Sequence, residues 1–297
     1  MVPTLPNATQ ENIEDVYGEM GRLWLIELPD TLARVCRTWG LRVDACLGGN
    51  YAAVYLVHDE TGALKVLKLG VPSAEMEREW RALRAFDGNG CVRLLDLDEA
   101  GTALLFRRVT PGRGARELAD DQAMRVAADL MVQLHSAPDD DALPDVAELA
   151  SGFARLRRAH KGGTGPFDEG LVAASEETFR TVLDGLERCT LHGDLHHGNI
   201  LSDGQDWIAI DPHGVRGPAQ WEAGALLRNP WETLRTEPRL TARMERRVDI
   251  LCEAMAWDRA LVRRLAAAQA VLSSVWSWED HGKADPLALR VAGALWR

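Results

Sequence analysis

An α+β chain in two lobes, a small antiparallel β lobe followed by a larger and mainly helical one, is what the sequence predicts. Three observations carry this reading. As far as residue 109, apolar runs of strand length alternate with turn residues and are interrupted by two helical stretches. Beyond residue 110 the apolar residues recur mostly at helical spacing. A pair of short apolar runs near residues 200 and 208 interrupts that helical half. The 297 residues, 46 % of them hydrophobic, suffice for two cores, and the change of pattern divides the chain into 1–109 and 110–297.

In the first lobe, Pro29-Asp30 opens a helix whose Leu32, Val35, Cys36 and Trp39 share one face, and Gly40 stops it. Strands follow at 41–47, 52–58 and 63–69, the last two joined through Asp59-Glu60-Thr61-Gly62. A helix over 74–86 is capped by Ser73 and closed by Asp87-Gly88-Asn89-Gly90. Strands at 91–97 and 102–109 flank Glu99-Ala100-Gly101, and Pro111-Gly112-Arg113-Gly114 reads as a hinge. In the second lobe, Asp120 or Asp121 caps a helix bearing Met124, Ala127, Leu130, Met131 and Leu134. Asp139-Asp140-Asp141 reads as a solvated loop, 161–166 as a connector, and 219–297 as several helices.

A net charge of −11 argues against nucleic acid as a partner and suits a cationic small molecule, although acidity also simply maintains solubility. Five scattered cysteines without a C-x-x-C pair read as reduced, buried thiols. No signal-peptide pattern opens the chain, and no apolar run approaches the ~20 residues that span a bilayer. The expectation is a soluble, cytoplasmic protein with no membrane partner. Nothing in the pattern specifies an oligomeric state.

The chemistry concentrates in Leu191-His192-Gly193-Asp194-Leu195-His196-His197-Gly198-Asn199-Ile200-Leu201, followed by Trp207-Ile208-Ala209-Ile210-Asp211. The apolar runs on either side of residues 202–206 form a hairpin, which returns Asp211 beside Asn199. Two oxygen ligands then face one point, as a Mg²⁺ that keeps phosphate oxygens and waters requires. Asp194 lies on the entering loop, where a carboxylate orients or deprotonates a hydroxyl in phosphoryl transfer. His192, His196 and His197 with Asp194 raise a zinc site as an alternative, but that reading leaves Asn199 and Asp211 unexplained. His192 is read instead as a buttress of the loop.

The segment Thr190–Leu201 resembles the catalytic loop of the aminoglycoside phosphotransferases, antibiotic kinases of the protein-kinase-like fold. The runs 209–215, 226–230 and 275–282 resemble in particular the streptomycin 6-phosphotransferase and hydroxyurea kinase branch, and the likeness extends from about residue 45 to the C-terminus. It implies ATP as donor, Mg²⁺ as cofactor, Asp194 as catalytic base, and Asn199 with Asp211 as metal ligands. The first lobe then becomes the nucleotide-binding one, and the second carries catalysis and the acceptor.

Val66-Leu67-Lys68 resembles the strand lysine of kinases, and Lys65 lies on the other face of the strand. A buried lysine needs a carboxylate. Of Glu75, Glu77 and Glu79, the last falls on the inward stripe of Met76, Trp80 and Leu83 and is chosen as that partner. Gly48 and Gly49 precede the second strand, where backbone N–H groups meet phosphates, although Leu47–Ala53 is not G-x-G-x-x-G. Around Arg107 and Val109 the resemblance implies backbone contact with the base; Arg107 stands where related kinases commonly carry an acid. A streptomycin-type acceptor bears guanidinium groups, for which Glu222, Glu279 and Asp280 are the candidate carboxylates. Gly217-Pro218 lacks an acid common at this point in the family.

The expected activity is ATP-dependent phosphorylation of a hydroxyl on a small cationic molecule, most simply a streptomycin-type aminoglycoside. A metabolic kinase for a sugar, amino alcohol, nucleoside or hydroxyurea-like acceptor is the first alternative. A catalytically inactive nucleotide-binding module is the second, and the full set of competent residue types argues against it. Asp211-Pro212 in place of Asp-Phe-Gly argues against a protein kinase.

Overall fold

A computed structural model describes residues 3–183 and 185–296, and its backbone separates into two units, Met1–Thr110 and Pro111–Arg297. The first contains α1 (Asn7–Trp39), β1 (Arg42–Gly48), β2 (Ala52–His58), β3 (Leu64–Gly70), α2 (Ala74–Phe86), β4 (Leu94–Leu97) and β5 (Ala103–Arg107). The five strands form one sheet of order β1-β2-β3-β5-β4, antiparallel throughout. Alternation along the strands creates its two faces. Ala53, Tyr55, Val57, Leu67 and Leu69 turn to a core shared with Leu28, Leu32 and Val35 of α1. Lys68, registered between Val54 of β2 and Leu104 of β5, belongs to the opposite face.

The helix expected to begin at Pro29 begins at Asn7 and carries Pro29 in its interior. Two features conceal it. Between residues 7 and 28 only Thr9, Ile13, Gly21 and Leu28 are buried, too sparse a set to display a period. Gly18, at φ 57° and ψ −130°, kinks the helix and resets its phase. Proline forfeits one backbone hydrogen bond, and the buried Leu28 and Leu32 hold the helix across it.

α2 matches its expected bounds: the Ser73 hydroxyl accepts from the Met76 N–H, and Asp87 ends the helix in the left-handed region at φ 43°. Strands β4 and β5 are shorter than expected, so Val109 lies beyond the sheet.

The second unit contains β6 (Pro111–Gly114), α3 (Asp120–Leu134), α4 (Ser151–Ala159), α5 (Glu169–Glu177), β7 (Cys189–Leu191), β8 (Ile200–Asp203), β9 (Asp206–Ala209), β10 (Val215–Gly217), α6 (Ala223–Leu227), α7 (Trp231–Leu234), α8 (Leu240–Met255), α9 (Arg259–His281) and α10 (Pro286–Leu295). The Pro111–Gly114 segment, expected as a hinge, is a strand: β6 pairs with β8, which pairs with β9. β7 and β10 form a separate two-stranded ribbon. α3 begins at Asp120, the first of its expected caps, so that Ala119 is the N-cap and Asp120 and Asp121 lie in the first turn, where carboxylates suit the helix dipole. Asp139, expected in a solvated loop, forms a forked pair with Arg216 at 2.6–2.8 Å.

α9 is the axis of this unit, buried on nearly every face from Val262 to Val275. Its alanines admit close neighbours, and at Gly224 of α6 any side chain would collide with Gln269. Among the described residues no helix is long and apolar enough to cross a membrane.

Arg247 of α8 is fully buried. Its guanidinium donates to both Asp120 oxygens at 2.5–3.2 Å and to the carbonyls of Leu226 and Asn229 at 3.3 and 2.6 Å. One buried cation thus ties α3, α8 and the end of α6 together. The expected consequence is that Asp120→Ala, which leaves that guanidinium without its counter-charge, lowers unfolding free energy by about 3 kcal/mol in a urea titration.

Candidate functional site

In the first unit, Lys68 Nζ donates to both oxygens of Glu79 at 2.8 Å, and Glu79 is buried on the inward stripe of α2. Lys65, three residues earlier and on the other face, pairs instead with Asp59 at 2.8 Å. Hydrogen bonds from Lys65, then Thr61, hold the Asp59 carboxyl well below the ordinary carboxylate range.

Gly48 ends β1 at φ +76°, a conformation that favours glycine, and a Cβ on Gly49 would press into the Ala52 carbonyl. The Thr9 hydroxyl donates to the Gly49 carbonyl at 2.7 Å. Arg107 closes β5 and Val109 follows it, both half-buried.

In the second unit, β8 and β9 pair from Ile200↔Ala209 to Asp203↔Asp206, turning through Gly204-Gln205 with Gly204 at φ 63°. One further backbone bond, Ile210 N–H to the Asn199 carbonyl at 2.9 Å, carries the pairing to the next residue, Asp211. Asp211 is exposed and holds φ 61°, a region that aspartate tolerates better than most side chains. Asn199 donates its Nδ2 to the Asp194 carbonyl at 3.0 Å. That commits the amide nitrogen and turns the amide oxygen the other way. The donor types at Asn199 and Asp211 are oxygen, the kind a hard divalent cation such as Mg²⁺ prefers.

Asp194 is held by its backbone. Its N–H donates to His192 Nδ1 at 3.3 Å, and His192 Nε2 lies 2.9 Å from the Ile210 carbonyl. A carbonyl only accepts, so Nε2 carries the proton and Nδ1 is the acceptor: the ring is neutral. Burial depresses the His192 pKa and outweighs the nearby Glu222 and Asp194 charges, which agrees with that tautomer. The His192 carbonyl in turn accepts from the N–H groups of His213 and Gly214 at 2.8 and 3.1 Å. The Asp194 carboxylate is half-buried, with His196 Nε2 at 3.5 Å and His213 Nε2 at 3.7 Å.

Glu222, expected to meet an acceptor's cation, does not present its carboxylate to solvent. It is 1 % exposed, and its oxygens accept from the N–H groups of His192 and Gly193 at 2.8 and 3.0 Å, with His135 Nε2 at 3.9 Å. Burial raises its pKa, but His135, His192 and the Gly193 N–H together prevail and hold it below the ordinary glutamate value. The cause is local: Glu222 follows Trp221 in a short 3-10 turn leading into α6, and both side chains are buried.

Glu279 likewise differs from expectation, because the Arg155 fork engages both of its oxygens at 2.8 Å. Asp280 is exposed. Trp221 is buried edge-on against Phe179, and Trp278 packs against His160.

Three contributors escape sequence reading. Thr9 lies 40 residues from the glycine it holds. His213 could have been suspected from its place two residues after Asp211. Arg228, at the end of α6, donates to Gln269 at 2.5 Å. Burial pushes its guanidinium down, and the charges that oppose this are Asp194 and Asp285. The histidines of the loop diverge: His192 serves the backbone, His196 Nδ1 accepts from Gly198 N–H at 3.0 Å, and His197 is buried. Burial, followed by the Arg247 charge, lowers the His197 pKa to about 3. Among the described residues no group of three or more His, Cys, Asp or Glu is placed to hold a metal ion, so the zinc alternative lacks its ligand cluster.

The sequence pattern of the family described as "Aminoglycoside/hydroxyurea antibiotic resistance kinase" matches residues 41–282. The chain is 30 % identical to the streptomycin 6-kinase of Streptomyces griseus, across 98 % of this chain and 96 % of the relative. It is 32 % identical to the hydroxyurea phosphotransferase of Kitasatospora aureofaciens, across 91 % and 78 % respectively. In three dimensions it resembles the choline kinase of Streptococcus pneumoniae, with a TM-score of 0.62 at 15 % identity over 91 % of this chain and 99 % of that one.

Glu222 supplies a stability test. Its folded pKa lies below the unfolded value of about 4.3, so its contribution is present above that pH and is lost as pH falls through the folded value. Glu222→Gln is expected to lose about 2 kcal/mol at pH 7 in urea titrations. The same variant is expected to show a shallower loss of stability than the native chain as the pH is lowered below about 4.

Proposed function

The chain belongs to the aminoglycoside/hydroxyurea antibiotic resistance kinases, and from that membership we propose that it phosphorylates a hydroxyl of a small cationic acceptor of the streptomycin type. It is a phosphotransferase of the protein-kinase-like fold, and as a kinase it takes its phosphoryl group from ATP. The observation that carries the acceptor chemistry is the way Asp194 is presented: half-exposed side chain, fully tethered backbone.

Asp194 accepts a hydrogen bond from the acceptor hydroxyl, aims its oxygen at the γ-phosphorus, and receives its proton as the new O–P bond forms and the bond to ADP breaks. Glu222 and His192 keep the loop fixed so that this alignment is reached without reorganisation. Asn199 and Asp211 are the proposed Mg²⁺ ligands. Magnesium, when bound, neutralises phosphate charge and holds the leaving oxygens. Lys68, oriented by Glu79, holds nucleotide phosphates, the backbone around Gly48 and Gly49 meets them with N–H groups, and the backbone from Arg107 to Val109 meets the base. Arg228 lends positive charge to the surroundings of Asp194.

For the acceptor, the similarity to streptomycin 6-kinases favours a guanidinium-bearing aminocyclitol. Asp280 is the exposed carboxylate among the three candidates and is the proposed contact. A second reading rests on the same count: with Glu222 and Glu279 engaged inside the chain, a smaller acceptor such as hydroxyurea needs fewer charges, and the similarity to the hydroxyurea phosphotransferase is of the same order.

The test is coupled ADP release with MgATP across streptomycin, kanamycin-type aminoglycosides, hydroxyurea, choline and simple sugars. Streptomycin-dependent turnover is expected, and Asp194→Ala is expected to lower it at least ~10²-fold while nucleotide binding persists. Undiminished turnover in that variant refutes the role of Asp194. Turnover with hydroxyurea alone selects the second reading.

A further inference from the structure

The contact between the N-terminal helix and the glycine turn is long-range and made by a buried hydroxyl. Thr9 is 4 % exposed, and its Oγ1 donates to the Gly49 carbonyl at 2.7 Å. The start of α1 is itself fixed. Leu5 and Ile13 belong to the core under the sheet, and Gln10 Nε2 donates to the Leu5 carbonyl at 2.7 Å. At Gly48, a Cβ would come within 3.2 Å of both Pro6 Cγ and Thr9 Oγ1, so this end of the helix rests directly on the turn. Further along, burial raises the Tyr17 pKa, and the groups around its phenol include Ser73, Glu75, Lys68 and Tyr51. The first turns of α1 therefore border the residues proposed to meet nucleotide phosphates, yet they precede residue 41, where the family pattern begins.

From this geometry we infer that Thr9 is a positioning residue for nucleotide binding. The peptide unit is planar. In a trans peptide the C=O and the following N–H point in opposite directions. Fixing the Gly49 carbonyl toward Thr9 therefore fixes the Asn50 N–H away from α1. Glycine at φ +76° in Gly48 leaves that turn many conformations unless something outside it selects one. Thr9 makes the selection before the nucleotide arrives, so the ordering cost is met in folding rather than in binding. The inference rests on the reading that residues 48–51 and Lys68 bind nucleotide phosphates.

Its test uses the full chain with MgATP and the acceptor found active in the panel above. Thr9→Val keeps the shape and removes the donor. It is expected to raise the ATP KM and the directly measured nucleotide Kd about fivefold, which corresponds to about 1 kcal/mol. The acceptor KM and the kcat at saturating ATP are expected to stay near wild type, and Thr9→Ser is expected to restore nucleotide affinity. Circular dichroism and thermal unfolding check the fold. If Thr9→Val does not fold, Thr9→Cys, a small side chain with a weak donor, replaces it with the same expected direction.

Lys68→Ala separates the two ideas. If Lys68→Ala loses nucleotide affinity while folded Thr9→Val binds as wild type, the role of Thr9 is overturned and the nucleotide reading stands. If Lys68→Ala binds nucleotide normally, the reading and the inference fall together. A drop in kcat with unchanged nucleotide Kd in Thr9→Val also overturns the inference.

Discussion

A single buried carboxylate organises the second unit. Glu222 has no solvent to stabilise its charge, and its oxygens are met by two consecutive backbone N–H groups, those of His192 and Gly193. A buried charge without such donors is too costly to keep. The loop and the turn before α6 therefore hold each other in one arrangement. From there the order propagates through neutral His192 to the Asp194 N–H on one side and the Ile210 carbonyl on the other. The Asn199 amide closes the circuit on the Asp194 carbonyl. Asp194, Asn199 and Asp211 keep their places because the backbone between them has its polar groups engaged.

The same device recurs. In the first unit Lys68 and Glu79 form a buried forked pair that joins β3 to α2. In the second, Arg247 draws Asp120 and two carbonyls around one guanidinium. Lys68 and Glu79 join neighbouring elements and Arg247 with Asp120 joins elements far apart in sequence, and each pair specifies geometry more than it adds net stability, because desolvation consumes much of the Coulombic gain. Apolar packing, beneath the sheet in the first unit and around α9 in the second, supplies the main stabilising term, and the polar pairs decide which way the elements face.

Local spacing is the part of this fold that is legible in the chain. Alternation puts Lys65 and Lys68 on opposite faces of β3, and they take different partners, Asp59 and Glu79. The helical stripe of α2 singles out Glu79 over Glu75 and Glu77, which instead pair with Arg78 and Arg81 on the surface. The 200–209 hairpin was legible from two apolar runs and a turn, and with it the return of Asp211 toward Asn199. Non-local causes leave no such mark in the chain. Glu222 and Glu279 look like available acids until the backbone of residues 192–193 and the fork of Arg155 are brought to them. The first half of α1 carries too few apolar residues to reveal itself, and Gly112 in a P-G-R-G run imitates a hinge that is strand β6.

What the sequence determined by itself was the order of β1 to β5 with α2 among them, the 200–209 hairpin, and the clustering of oxygen and imidazole groups over residues 192–211. Periodicity and turn chemistry act over a few residues and are written in the chain. Tertiary structure alone decided which charges are spent inside the protein and which remain at its surface. It also decided that a threonine near the N-terminus holds a turn 40 residues away. Those outcomes depend on desolvation, since a carboxylate or hydroxyl chooses its partner only when folding removes water from it, and no local pattern records where that happens.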